Sequence, residues 1–215
     1  MTPGVVLHWF DVICPFCYIA QDRNRILCDA GVAVIDLPVQ IHPEIGPGGV
    51  PAPPRNGPVY DQLAEAARDA GFELNWPSRI PCSRPALAAA EAVRTHQPES
   101  HQAFSAAVFR GHFALGQDIE DPAVIAACAE GAGVDPLEFA SETTSGAAED
   151  ELRHAERQAR AHRVTGTPSW LLADRLIVGL RSRAFFTALG HALTSADLGQ
   201  LEDGPDAPTG DRCDR

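Results

Sequence analysis

Phe10-Asp11-Val12-Ile13-Cys14-Pro15-Phe16-Cys17-Tyr18-Ile19 is the stretch on which the fold turns. Residues 5–13 leading into it are apolar and rich in β-formers, the pattern of a buried strand. Pro15 suits the first position of a helix, with Cys14 as its N-cap, and Gly31 suits the position just past its end, so a helix is predicted over 15–30. Residues 32–41 read as a second strand, with Pro38 marking an edge or a bulge. Together these make a β-α-β unit, with two cysteines at the junction of its first strand and its helix.

That position gives the cysteines a chemistry. A thiolate, not a thiol, attacks a disulfide, and the unsatisfied N–H groups and positive dipole end of a helix start favour an anion there. Cys17 follows Cys14 by three residues, on the same face of the first turn and within disulfide range. Cys14 is therefore expected to attack while exposed, and Cys17, one turn deeper, to resolve the mixed disulfide. The remaining cysteines are Cys28, Cys82, Cys128 and Cys213. Cys28 and Cys128 fit core helix positions, Cys82 a buried site near a cap, and Cys213 the tail. No second pair completes a zinc site, and His96 and His101, five apart, do not share a helix face, so no metal is expected.

Working outward, residues 42–58 form a Pro/Gly-rich loop. A helical block follows, marked by Leu63, Ala66, Ala67 and Ala70, by Ser83 before 84–95, and by Phe104, Val108 and Phe109 within 98–115. Asp121-Pro122 and Asp135-Pro136 are N-cap and N1 pairs, and Gly146 precedes an arginine-rich helix over 147–162. Strands return at 167–172 and 175–178 around Ala173-Asp174, and Ser182 caps a last helix over 183–193. The predicted division is 1–55 and 146–200 for a strand-containing domain in two parts, 56–145 for a helical insertion over the Cys14 face, and 201–215 for a flexible tail. Gly166-Thr167-Pro168-Ser169 enters a strand sharply, which suits a cis bond that offers the Thr167 backbone to a substrate.

Composition bounds the rest. Hydrophobic residues are 45% and charged residues 21%, ordinary values for a globular chain. The 17 basic residues, all arginine, against 29 acidic ones give a net charge of −12, which disfavours nucleic acid and anionic membranes as partners. No apolar run approaches the ~20 residues of a membrane span, and the first residues lack a secretory pattern, so a cytoplasmic location is expected.

These elements together resemble the DsbA family of the thioredoxin superfamily. Residues 10–19 are very similar to its FrnE-like cytoplasmic branch, whose motif usually reads C-P-W-C-Y. The resemblance continues through Ile80-Pro81-Cys82-Ser83-Arg84-Pro85-Ala86-Leu87 and Gly116-Gln117-Asp118-Ile119, and ends at Val164-Thr165-Gly166-Thr167-Pro168-Ser169. It implies an α/β, thioredoxin-like fold with an α-helical insertion. It implies a thiol-disulfide oxidoreductase with Cys14 as nucleophile, Cys17 as resolving cysteine, and Thr167 and cis-Pro168 at the substrate. The partner would be a protein or small-molecule disulfide or thiol. No cofactor would be tightly bound, with glutathione or mycothiol as co-substrate. Pro15 and Phe16 between the cysteines, His8 and Cys82 are auxiliary candidates. Phe16 replaces the branch's usual Trp and the His of periplasmic relatives, so strong oxidising power is not implied. His8 stands where relatives carry a buried carboxylate, and Cys82 where they commonly carry Asn. The alternative is a thiol-dependent isomerase or transferase acting on a small aromatic or polyketide metabolite. The same branch includes hydroxychromene-carboxylate isomerases and kappa-class glutathione transferases, which usually have Ser in place of Cys14 and lack the second cysteine.

Overall fold

The computed structural model describes residues 4–195; Cys213 and the predicted tail lie outside them. Strand β1 (Val5–Phe10) runs into α1 (Pro15–Asp29) and returns as β2 (Ala33–Pro38), parallel to β1 with Val6 opposite Val34. The chain rejoins this sheet much later. β5 (Ser169–Leu172) pairs antiparallel with β1, and β6 (Arg175–Val178) pairs antiparallel with β5, giving the order β2-β1-β5-β6. The β5–β6 hairpin turns through Ala173-Asp174, with φ of 53° at Ala173, a positive-φ two-residue loop that matches strand twist.

Alternation along the central strand β1 sends its side chains to two cores. Val6 packs with Ala20, Leu27, Trp170, Phe186 and Leu189, between the sheet and the helices α1 and α8 (Arg183–Ser195). Trp9 packs on the other face with Leu37 and Ala159 of α7 (Ala147–Ala161). Full burial of such side chains stabilises by roughly 1.5–3 kcal/mol each. Gly190 sits where α8 meets the end of α1: a Cβ there would stand 2.8 Å from that of Ala30.

Between β2 and α7 come α2 (Pro58–Asp69), α3 (Arg84–His96), α4 (Pro98–Phe113), α5 (Pro122–Gly131) and α6 (Pro136–Ser145). The α5 and α6 starts follow from sequence: Asp121 accepts from the Ala123 N–H, and Asp135 from those of Leu137 and Glu138. A third core joins these helices to the end of β1 and the start of α1. Phe10, Ile13, Cys14, Cys17 and Tyr18 pack there with Leu87 and Val93 of α3, Phe104, Val108, Phe109 and Phe113 of α4, and Ile125 of α5. The Tyr18 ring stacks on Phe72 at 4.9 Å and on Phe113 at 5.2 Å, and its hydroxyl donates to the Glu73 carbonyl at 2.9 Å.

Within the span read as a loop lies one half of a small ribbon: β3 (Val50–Pro51) pairs antiparallel with β4 (Arg79–Ile80). Two residues in each strand, with a proline in β3, carry no alternation for a sequence reading to detect. Its geometry demands glycine at Gly49, whose φ is 58° and whose Cβ would fall 2.3 Å from the Ile80 carbonyl oxygen. Glu120 fastens the ribbon. Its carboxylate accepts from the Gly48 and Cys82 N–H groups, at 2.8 and 2.7 Å, and from Arg79 at 2.7 Å. This gives a role to the segment around Gly116-Gln117-Asp118-Ile119. Arg84 ties α3 to α7 and to the end of β2, donating to Glu149, Glu156 and the Gln40 side chain.

Candidate active site

Cys14 is the N-cap of α1, in extended conformation, with Pro15 in the first turn. Its carbonyl accepts the N–H groups of Cys17 and Tyr18 at 3.0 and 3.1 Å, and its own N–H donates to the Asp11 carbonyl at 3.1 Å. No side chain caps this helix, so the partial positive charge of its first turn is left to the Cys14 sulfur. Across from it, the Thr167–Pro168 peptide bond is cis, and the Cys14 thiol donates to the Thr167 carbonyl with Sγ 3.4 Å from the oxygen. The strand register holds that carbonyl in place: the next one, of Pro168, accepts the Gly179 N–H at 2.8 Å. Both thiols are free.

The surroundings push the two thiols apart in acidity. Burial opposes ionisation of Cys14, but interactions with the Cys17 thiol and N–H group and with Thr167 outweigh it and lower its pKa. Burial raises the Cys17 pKa well above that of an ordinary thiol, and the neighbouring Cys14 raises it further. The Thr167 hydroxyl is buried with no hydrogen-bond partner among the described residues, and Thr167 favours the ionised form of both thiols. Such a pair can divide the labour of disulfide exchange: one thiol ionises readily, and the other stays protonated until it attacks.

One expectation changes in the folded chain. Cys14 is only 3% exposed, because helices α3 and α4 complete the core around the β1–α1 junction, and Cys17 is fully buried. Conversely, Cys28, read as a core position, is exposed on the outer face of α1, and burial of Cys128 is as expected. Phe16 is half-buried and packs against the helical core. His8 is buried, but it is engaged elsewhere: Nδ1 meets Asp36 at 2.5 Å and the ring stacks on Trp170 at 4.8 Å. Cys82 is buried beside β4, where its sulfur accepts from Gln40 at 3.8 Å.

Asp11 is a site residue that sequence reasoning did not single out. It is fully buried, and its carboxylate accepts the Ile13 and Ile41 N–H groups at 3.2 and 2.9 Å. Burial raises its pKa to about 6 against the pull of those bonds, of Ser83 and of His42. Its negative charge in turn raises the Cys14 pKa. Ser83 stands at the N-cap of α3 but makes no capping bond with its side chain; its hydroxyl is buried without a hydrogen-bond partner among the described residues and favours the ionised form of Asp11. An acidic residue three before the first cysteine was the available signal; only the return of Ile41 and Ser83 onto it reveals the burial. Among the described residues no group of three or more His, Cys, Asp or Glu side chains could hold a metal ion.

A dithiol at a helix start, facing the carbonyl before a proline at the end of a four-stranded sheet, is an arrangement of the thioredoxin-like fold. Residues 5–189 match the model of the DSBA-like thioredoxin domain, and the chain belongs to that family. Among solved structures it is similar to a probable DsbA oxidoreductase from Streptomyces coelicolor, at 24% identity over 89% of this chain and 90% of that one, with a TM-score of 0.74. It is also similar to a 2-hydroxychromene-2-carboxylate isomerase, at 20% identity over 89% and 95% of the two chains and a TM-score of 0.69. The cytosolic disulfide reductase DsbM from Pseudomonas aeruginosa, solved with GSH, shares 18% identity over 90% and 98%, with a TM-score of 0.61. No curated protein matches the chain. The fold is thus the DsbA-like thioredoxin fold, with a mixed sheet and, among the described residues, eight helices.

Proposed function

We propose that the protein is a thiol-disulfide oxidoreductase of the FrnE-like branch, working in the cytoplasm on protein or small-molecule disulfides. The observation that carries this reading is the pair itself: Cys14 at the uncapped start of α1, 3.4 Å from the Thr167 carbonyl, with Cys17 one turn behind. In the reductive direction the Cys14 thiolate attacks one sulfur of the substrate disulfide. A Cys14–substrate S–S bond forms, and the departing thiolate takes a proton. Cys17 then loses its proton and attacks the Cys14 sulfur. The Cys14–Cys17 disulfide forms, the second substrate thiol leaves, and two electrons have passed to the substrate. The reverse sequence oxidises a dithiol. Two equivalents of a low-molecular-weight thiol, glutathione or mycothiol, return the enzyme to its dithiol form. The likeness to a cytosolic reductase solved with GSH supports that choice of reductant and compartment. Among the described residues no helix is long and apolar enough to cross a membrane.

The test is trapping. Cys17→Ser should accumulate a mixed disulfide between Cys14 and substrate, readable by mass, and Cys14→Ser should lose insulin reduction. A Cys14→Ser variant with full activity would end this reading. An isomerase of the hydroxychromene-carboxylate type would need no resolving thiol, so Cys17→Ser separates the two: it abolishes turnover of a dithiol mechanism and spares an isomerase.

A further inference from the structure

A cleft of about 300 Å³ opens between β1 and β2, the middle of α1 and the outer face of α4. It lies along α1 from the cysteines, with Arg25 eight residues beyond Cys17, about 12 Å at ~1.5 Å rise per residue. Nothing in the disulfide chemistry uses it.

One wall is set by a fixed chain of hydrogen bonds. The Trp170 indole N–H donates to Asn24 Oδ1 at 2.8 Å, so the Asn24 amide nitrogen is the atom that meets Asp36 Oδ1 at 2.9 Å. His8 Nδ1 converges on the same oxygen at 2.5 Å. Both groups fall on Oδ1, and no donor among the described residues meets Oδ2, on a side chain that is 20% exposed. Arg25 lines the same cleft. Its guanidinium rests over the Phe72 ring, 5.8 Å from the centroid, and among the described residues no carboxylate pairs with it. Asp36 and Arg25 thus present opposite charges to one cleft without bonding each other. The rest of the lining is mixed: Phe109 and Ala106 of α4 supply apolar surface, and Gln21, Gln102 and Ser105 supply polar groups.

A simple anion at Arg25 would meet the Asp36 carboxylate, and a simple cation at Asp36 would meet the guanidinium. Each would add an unfavourable like-charge contact. A molecule carrying both charges satisfies both walls, and the volume suits a small ligand. We infer that this cleft binds a small zwitterion, an α-amino acid or short peptide. Its ammonium meets Asp36, its carboxylate meets Arg25, and its apolar side chain lies against Phe109 and Ala106.

The test is calorimetric titration of the reduced full chain with L-phenylalanine and L-leucine. Controls are phenethylamine, which lacks the carboxylate, and N-acetyl-L-phenylalanine, which lacks the ammonium. At least one amino acid should bind saturably at one site and shift the side-chain amide resonances of Asn24 and Gln102. Each control should bind at least about tenfold more weakly, the scale of one lost charge-assisted hydrogen bond. Arg25→Gln, a change at an exposed position, should weaken the amino acid by a similar factor, and Ala106→Phe should block the cleft. Both variants should keep insulin reduction. No saturable binding of either amino acid, equal affinity for the controls, or wild-type affinity in Arg25→Gln overturns the inference.

Discussion

Replacing Asp11 with asparagine should stabilise the reduced protein in mild alkali and flatten its response to pH. The carboxyl is fully buried, and burial raises its pKa from the ordinary 3.8 to about 6. The folded state therefore holds this proton more tightly than the unfolded state. The resulting stability is complete below 3.8 and is lost as pH rises through about 6. That gap corresponds to about 3 kcal/mol between the two limits. Asparagine keeps the size but accepts through one oxygen only, so one of the bonds from Ile13 and Ile41 is lost, at about 1 kcal/mol. The variant should be about 2 kcal/mol more stable than wild type near pH 8 and about 1 kcal/mol less stable near pH 3, the two curves crossing between. Urea unfolding with reductant present, across that range, reads the difference directly. A difference between the two proteins that stays constant with pH would refute the reasoning. The same substitution removes the negative charge that raises the Cys14 pKa, so the alkylation midpoint of Cys14 should move to lower pH.

In the wild type, the rate of Cys14 alkylation should level off at lower pH than that of Cys28, whose pKa burial raises despite an exposed residue surface; differential labelling with mass readout checks the order. Gly49→Ala should cost about 1–3 kcal/mol, because its Cβ meets the Ile80 carbonyl at 2.3 Å and the Pro81 Cα at 2.9 Å, and backbone cannot yield as a side chain does; thermal melts should fall accordingly. Asn24→Ala should cost about 1–3 kcal/mol by leaving the buried Trp170 indole N–H without its acceptor, and faster hydrogen exchange at that indole should accompany the loss.

Much of the frame was legible because local chemistry specified it. Pro15 after Cys14, Asp121 and Asp135 before prolines, and Ala173-Asp174 between two apolar runs mark boundaries that the folded chain keeps to within a few residues. The pairing of the thiols was legible for the same reason. What depends on segments far apart in the chain was not. Ile41 and Ser83 close over Asp11 from 30 and 72 residues away, and no spacing near Asp11 announces them. Cys14 is exposed in the logic of a helix start and buried in fact, because α3 and α4 complete its surroundings. Cys28 fails in the opposite sense: its place in an apolar stretch of α1 looks inward, but the helix turns that position outward. His8 illustrates a third case, where an auxiliary candidate is committed to a carboxylate on the adjacent strand.

Cys14 and Cys17 belong to the same packed cluster as Phe104, Phe113 and Ile125, so their oxidation state is a property of that cluster. A thermodynamic cycle follows. Whatever the folded chain does to the dithiol–disulfide equilibrium, relative to the unfolded chain, must reappear as a difference in unfolding free energy between the two forms. For a two-electron couple, ~30 mV of displacement equals ~1.4 kcal/mol of that difference. Unfolding curves of the oxidised and reduced protein, subtracted, therefore measure how far folding displaces the potential, without any redox buffer. A substitution at Phe113 or Ile125 that acts unequally on the two forms would retune the couple without touching sulfur.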